Sequence, residues 1–448
     1  MTTPISRTVA GLLTCVALFH FAAQAEEPMY HESLIFPYQG QHVHGSSVVV
    51  LPNGDILTCW FQGSGERWAD DVVILGARKS AGSDDWSAPF LMAETKGFPD
   101  INPVLFMDTR GKLWLTWYAV LANQWDSSLV MYAISEDFDG PGAPVWKSQH
   151  NLLIKHAITE RGIQPDDPFV RIVEEKAHEY AAWHPPVPGA TPDLTQAWLD
   201  RTLGRARGED MIRAGRTYAD AGVGDSGGYE SGELGYPLSR RIGWQTQNKP
   251  VILDDNRLIL PLYSDGFSFS LMAITDDWGK NWTFSEPIFG FGNIQPAIAQ
   301  KADGTLVAYM RDNGPPPKRL HVSESTDRGD TWSPVRYAEL FNPGTGCDIL
   351  TTAEGKWVLA YNDTERGRHS LAIAISEDEG ATWPWVRRVE HDDREESETT
   401  RSHYPAIVEG PDGSFHLTYS YHHNDRPREE ARSIKYVHFN EAWVKAGE

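Results

Sequence analysis

"STDRGDTW", residues 325–332, has two close relatives in the same chain, "TDDWGKNW" at 275–282 and "SEDEGATW" at 376–383. The three begin 50 and 51 residues apart, so they mark repeats of one structural unit. Looser versions stand at 80–86, "SAGSDDW", and at 135–146, "SEDFDGPGAPVW". Each mark follows an alternating run of β type, such as Leu371–Ile375, and combines Asp and Ser or Thr, which cap backbone N–H groups, with a turn-forming Gly.

A second pattern recurs between the marks: an apolar strand, a turn that usually carries Gly, and another apolar strand. It appears as "VVVLPNGDILTCW" at 48–60, "PVLFMDTRGKLWLTW" at 103–117, "PVILDDNRLILPLY" at 250–263, "PAIAQKADGTLVAYM" at 296–310, "DILTTAEGKWVLAY" at 348–361 and "PAIVEGPDGSFHLTY" at 405–419. Six such units, each with further strands, predict an all-β, six-bladed β-propeller of four-stranded antiparallel blades. The N-terminal "HESLIF" at 31–36 is placed to complete the last blade and close the ring.

The spacing fails once, between Asn151 and Trp244, where a partly helical insertion of about 151–244 is expected. Thr191-Pro192-Asp193 reads as a helix start, with Pro at the first helical position and "LTQAWLDRTL" following. A second helix is expected through "EDMIRAGRTYADA" at 209–221, and "GVGDSGGYESGELGY" at 222–236 as loop. "VRIVEEKAHEYAAWH" at 170–184 leaves open a hairpin of a seventh, irregular blade. The insertion suits a lid or a dimer contact.

Residues 1–25 carry Arg7, an apolar run from Val9 to Phe21 and an Ala23-Gln24-Ala25 cleavage site, the pattern of a secretory signal peptide. A soluble propeller over 26–448, secreted or periplasmic, is the expectation, with no membrane insertion. The formal charge of −22 argues against nucleic acid as a partner. An anionic substrate would need a cationic pocket to overcome that field. Two cysteines remain after cleavage, Cys59 and Cys347, which excludes a disulfide scaffold and leaves their pairing open. The chain's 17 Trp and 16 Tyr supply aromatic faces of the kind that stack on sugars.

Propeller geometry sorts residues by face. The first turn and the Trp-bearing turn of each blade share one face, and their composition is structural. Starts of innermost strands and loops between strands two and three share the other. There the sequence places His42, His44, Asn102, Gln295, His403 and Tyr404 at strand starts, and Glu66, Arg67, Asp70, Trp125, Asp265, Arg311 and Arg368 in loops. His42 and His44 lie two apart and so share a side in extended chain. Polar groups from every unit converge on one mouth, which predicts a site.

The Ser-x-Asp-x-Gly-x-Thr-Trp marks resemble the Asp boxes, or BNR repeats, of sialidases, across essentially all of the mature chain outside the insertion. The pattern looks like that of divergent secreted sialidase-like proteins of BNR-2 type. Sialidases clamp a substrate carboxylate with three arginines, attack with a Tyr activated by a Glu, and use an Asp as acid/base. The resemblance implies clamp roles for Arg311 in "YMRDNG" and Arg368 in "RGRHSLAIAISEDEGATW", and a nucleophile role for Tyr404 in "SHYPAIVEGPDG". Three positions depart from the pattern. The first clamp arginine is replaced by His44-Gly45-Ser46, the activating Glu falls at Gln295, and the acid/base falls in "ERWADD" at 66–71, on Glu66 or Arg67 with Asp70 near.

A phenol is a weak nucleophile until a base takes its proton, which Gln295 cannot do and a histidine can. Candidate catalytic residues are therefore Tyr404, His44, Glu66, Asp70 and Gln295. Arg311, Arg368, His42, Asn102, Asp265 and Trp125 are candidate substrate contacts. No cofactor is expected; a metal held by His42 and His44 would need further ligands from His403, His422 or Asp70. Three functions stay open on a glycan partner: an exo-glycosidase on an anionic sugar, a lyase that removes the proton beside a uronate carboxylate with His or Tyr, and a binding propeller without turnover.

Overall fold

The structure, a computed structural model, describes residues 1, 26–157, 167–183, 192–207, 241–395 and 398–447, the side chains of 192–195 excepted. These form six four-stranded antiparallel sheets. Blade one comprises His42–Val50, Ile56–Gly63, Val73–Lys79 and Phe90–Ala93, and blade two runs from Asp100–Met107 to Val145–Leu152. Blades three, four and five begin at Val251–Ile252, Asn293–Gln300 and Asp348–Thr351. Blade six holds Thr400–Glu409, Phe415–His423 and Arg432–Phe439, and its outer edge is taken by Tyr30–Leu34 in register from Tyr30↔Phe439 to Leu34↔Lys435. The first strand thus closes the ring as the sequence predicts, supplying blade six with its fourth, outermost strand.

The repeated marks form one turn three times. Thr275, Ser325 and Ser376 accept through Oγ from the N–H of Gly279, Gly329 and Gly380 at 2.9, 2.9 and 2.8 Å. Asp277, Asp327 and Asp378 accept from the N–H of Asn281, Thr331 and Thr382 at 2.8, 2.9 and 2.8 Å. The glycine follows another left-handed residue in each case, Trp278, Arg328 or Glu379, and its own φ of 84°, 92° or 82° is one that glycine adopts without a Cβ penalty. Trp332 is buried and donates to the Gly329 carbonyl, while Trp282 and Trp383 are half-buried. The first turns of several blades, among them Pro52, Asp108, Gly111, Glu354 and Asp412, line a broad depression on this same face.

The insertion contains two helices, α1 (Pro168–Trp183) and α2 (Pro192–Arg207). In α1 the buried residues Phe169, Val173, Ala177 and Tyr180 recur at helical spacing, which overturns the hairpin alternative for 170–184. Helix α2 starts at Pro192 as its sequence predicts; Thr191, the helix expected at 209–221 and the loop at 222–236 lie outside the described residues, as does 2–25. Both helices join the apolar core of blades two and three, where Trp198 meets Phe289 and Phe291 at 5.5 and 5.1 Å and Phe169 meets Phe267 at 5.8 Å. Cys59 and Cys347 are buried free thiols. No helix among the described residues is long and apolar enough to cross a membrane.

Candidate active site

Innermost strands of four blades slip register at the same place: between His44 and Ser47, Ile101 and Val104, Ile294 and Ala297, and His403 and Ala406. The residue at each slip has left-handed backbone, namely Gly45, Asn102, Gln295 and Tyr404, with φ of 60°, 46°, 56° and 56°. Pro103, Pro296 and Pro405 follow the last three; without an N–H they give nothing to the ladder, so the bulge is built into the sequence. For a non-glycine residue this conformation costs on the order of 1–3 kcal/mol. The cost is retained where it turns side chains toward each other. Asn102 Nδ2 and Gln295 Nε2 both donate to the Tyr263 hydroxyl, at 3.3 and 3.4 Å, and Gln295 Nε2 also reaches the Tyr404 hydroxyl at 3.1 Å. At the fourth slip only glycine fits, since a Cβ on Gly45 would lie 2.7 Å from Asn102 Oδ1.

These side chains meet in a cavity of about 360 Å³ at the mouth of the propeller. Ten of the eleven residues singled out from the sequence line it: Tyr404, His44, Glu66, Gln295, Arg311, Arg368, His42, Asn102, Asp265 and Trp125. Asp70 does not. The chain turns back at 66–69, where Ala69 N–H bonds the Glu66 carbonyl at 3.0 Å, so Glu66 enters the cavity and Asp70 stays exposed, accepting from Asn123 Nδ2 at 2.8 Å. Lys249 and Asp348, near the starts of innermost strands, pair with each other at 2.5 Å and do not line the cavity.

Tyr404 is 8% exposed. Its hydroxyl oxygen receives Arg311 Nη1 at 3.0 Å as well as Gln295. His44 stacks on one side of the ring at 4.2 Å, and the Arg368 guanidinium lies 5.6 Å from the ring centre. His44 Nδ1 is 2.7 Å from Ser420 Oγ, which also accepts the Gly45 N–H at 3.1 Å, and the stacked imidazole braces the Tyr404 ring.

Two acids face the same space. Burial raises the pKa of Glu66, and the neighbouring Asp265 raises it further against Arg67, Arg368 and Arg311. Burial likewise raises that of Asp265, whose carboxylate accepts from Gln245 Nε2 at 3.1 Å. Five guanidinium groups line the cavity, Arg67, Arg311, Arg368, Arg401 and Arg432, and among the described residues no carboxylate pairs with any of them. A chain of net charge −22 therefore opens into a cationic pocket. Arg67 also lies over Trp125, 4.9 Å from its ring centre, and holds that indole in the wall.

The structure adds lining residues that the sequence reading passed over: Tyr118, Tyr263, Arg401 and Arg432. Tyr118 and Tyr263 end second strands and Arg432 begins a third, places outside the strand starts and loops that were sorted by face. Tyr-before-loop in "LPLYSD" was the available signal for Tyr263. Arg401 stands three residues before Tyr404 in the same strand.

Four histidines crowd the blade-six side. His403 is 4.5 Å from His44 and 4.9 Å from His422, ring to ring, and His42 is 6.0 Å from His44. Burial lowers the pKa of His42 to about 4 and of His422 to about 3, and pushes His44 and His403 well below the usual value, with neighbouring arginines adding to each. All four are neutral near pH 7. No group of three or more His, Cys, Asp or Glu among the described residues is arranged to hold a metal ion.

The same burial acts on His416, at the opposite face, whose pKa falls to about 4. An unfolded histidine takes its proton near pH 6.5 and these take theirs lower, so their stabilisation is present above pH 6.5 and is lost as pH falls toward 4. Each contributes a slope of about 1.4 kcal/mol per pH unit in that window. In His416→Asn the loss of urea stability between pH 6.5 and 4.5 is expected to be shallower by about one such slope. An unchanged slope contradicts the assignment.

With the geometry in place, comparison with known proteins identifies the family. The model of the BNR repeat-like domain matches residues 54–190 and 244–417, over half of the chain. The chain belongs to the BNR repeat-like family. A curated relative, the anhydrosialidase of Macrobdella decora, is 27% identical over 183 residues, 36% of this chain and 23% of that protein. Among solved structures, a protein of unknown function from Dyadobacter fermentans superposes with a TM-score of 0.60 at 12% identity, covering 91% of this chain and 97% of that one. The intramolecular trans-sialidase from Ruminococcus gnavus, solved with oseltamivir carboxylate, gives 0.57 at 14% identity over 92% and 98% of the two chains. At these identities the superpositions establish a shared sialidase-type propeller.

Proposed function

We propose that this BNR propeller is an exo-glycosidase for an anionic sugar, with Tyr404 as nucleophile, Glu66 as acid and Arg311 and Arg368 holding the sugar carboxylate. The observation that carries the proposal is the environment of the Tyr404 oxygen. It is met by two N–H donors, Arg311 Nη1 and Gln295 Nε2, in a cavity whose guanidinium groups have no carboxylate partner among the described residues. Tyr404 would attack as the phenolate, its proton having passed to solvent before the sugar is bound, and both donors would answer the charge on that oxygen, which lets Gln295 stand where sialidases carry Glu. Glu66, whose pKa burial raises, can give its proton to the leaving oxygen and take one back from water in the second step. A cavity of about 360 Å³ suits a terminal sugar unit more than a chain threaded through it. The leech relative and the carboxylate-bound trans-sialidase support an acidic sugar as the substrate class. Export through the 1–25 segment belongs to the same proposal.

Tyr404 between donors, with no carboxylate among the described residues bonded to its hydroxyl, also suits elimination. As phenolate it would take the proton beside a uronate carboxylate while Glu66 protonates the departing oxygen, giving a double bond and no added water. A fluorinated sugar inactivator separates the two. Retention of one sugar mass on the peptide containing Tyr404 is expected from the glycosidase. Recovery of unlabelled enzyme alongside unsaturated products from uronate glycans contradicts it and favours the lyase.

A further inference from the structure

Apart from Arg67, which lies over Trp125, the cavity's arginines form two sets, and the proposed reaction employs one. Arg311 and Arg368 attend Tyr404. Arg401 and Arg432 stand with His42 and His422, where blade six meets blade one. Arg432 Nη1 lies 3.3 Å from His42 Nδ1. A guanidinium has only donors, so Nδ1 accepts and the imidazole proton sits on Nε2. That Nε2–H is buried and has no acceptor among the described residues. Arg428, at the rim, reaches the carbonyls of Gly40 and Ser64 at 3.4 Å and adds a third positive charge nearby. Burial first, and then the fields of Arg432 and Arg428, depress the pKa of His42, and burial followed by Arg428 and Arg401 does the same for Arg432. Like charges gathered without a counterion, beside a buried donor without an acceptor, are costly unless an anion completes them.

We propose that Arg401, Arg432 and the His42 Nε2–H form a second anion subsite, so that the substrate is an acidic sugar bearing a further oxyanion, a sulfate ester or second carboxylate, beyond the carboxylate at Arg311 and Arg368. The inference deepens the proposed function and rests on it for the first anion alone. Two anionic groups on one ligand would also explain why five guanidinium groups converge where a single carboxylate engages two or three.

The test is calorimetric titration of inorganic sulfate into the full chain, alone and with a saturating monocarboxylate sugar, N-acetylneuraminate or glucuronate. Sulfate is expected to bind in both settings, and Arg432→Gln or Arg401→Gln to weaken it about tenfold or more while changing sugar affinity less than about twofold, the scale of a lost charge-assisted contact. Arg311→Gln is expected to do the reverse. Circular dichroism of both second-set variants checks the fold, and either one suffices. Tighter binding of sulfate than of acetate assigns a sulfate ester; the opposite order assigns a second carboxylate. Sulfate that is displaced by the sugar, or is indifferent to both second-set substitutions, overturns the subsite. Arg432-dependent sulfate binding with no sugar binding keeps the subsite and defeats the proposed function instead.

Discussion

Tyr404→Phe is expected to fold, to bind acidic sugar within a few-fold of the parent, and to lose turnover by about three orders of magnitude or more, equivalent to roughly 4 kcal/mol of transition-state stabilisation. The ring remains in place between His44 and Arg368, so packing is kept. What disappears is the oxygen that forms the bond to the sugar, and with it the acceptor for Arg311 Nη1 and Gln295 Nε2. Those donors keep only their longer bonds, to Gln295 Oε1 at 3.4 Å and the Tyr263 hydroxyl at 3.4 Å, and the loss costs about 1–3 kcal/mol of stability, visible as a lower thermal midpoint that bound sugar partly restores. The split is diagnostic: kcat collapses while the dissociation constant barely moves. A variant that keeps a tenth of the parent rate removes Tyr404 from the chemistry.

Glu66→Gln is expected to lower kcat/KM by about 10²–10⁴-fold for natural glycosides and by much less for aryl glycosides with good leaving groups, which need little proton donation. The pH profile gives the sign. Burial raises the Glu66 pKa, so the acid form persists further up the pH scale than for an exposed glutamate, and activity declines as pH rises through that raised value. In the glutamine variant this declining limb disappears, because no proton remains to be lost. A variant whose limb survives places the acid elsewhere, with Asp265 the next group to replace.

Much of this was legible in the chain. The Asp-box turns fix one face by their hydrogen-bonding residues, and subtraction leaves the other, so ten of eleven proposed side chains reach one cavity. Asp70 failed because the choice between two nearby acids depends on a turn at 66–69 that strand periodicity does not encode. Helix α1 was ambiguous because a short amphipathic run with few breakers fits either period until its partners are known; Phe267 and the core of blades two and three decide it. Arg401 and Arg432 escaped notice since each looks like an ordinary strand-end charge in one dimension, and only closure of blade six onto blade one brings them to His42. The left-handed Asn102, Gln295 and Tyr404 were written as Asn-Pro, Gln-Pro and Tyr-Pro, a repeated signal recognisable once the bulges are seen.

The most direct test of a Tyr404-centred reaction on an acidic glycan is mass spectrometry of products from a panel of sialylated, uronate and sulfated uronate glycans, with parent and Tyr404→Phe run side by side. The account predicts release of a terminal acidic sugar with one water added across the broken bond, confined to the parent protein. Intact glycans throughout the panel, or equal release by both proteins, would contradict it.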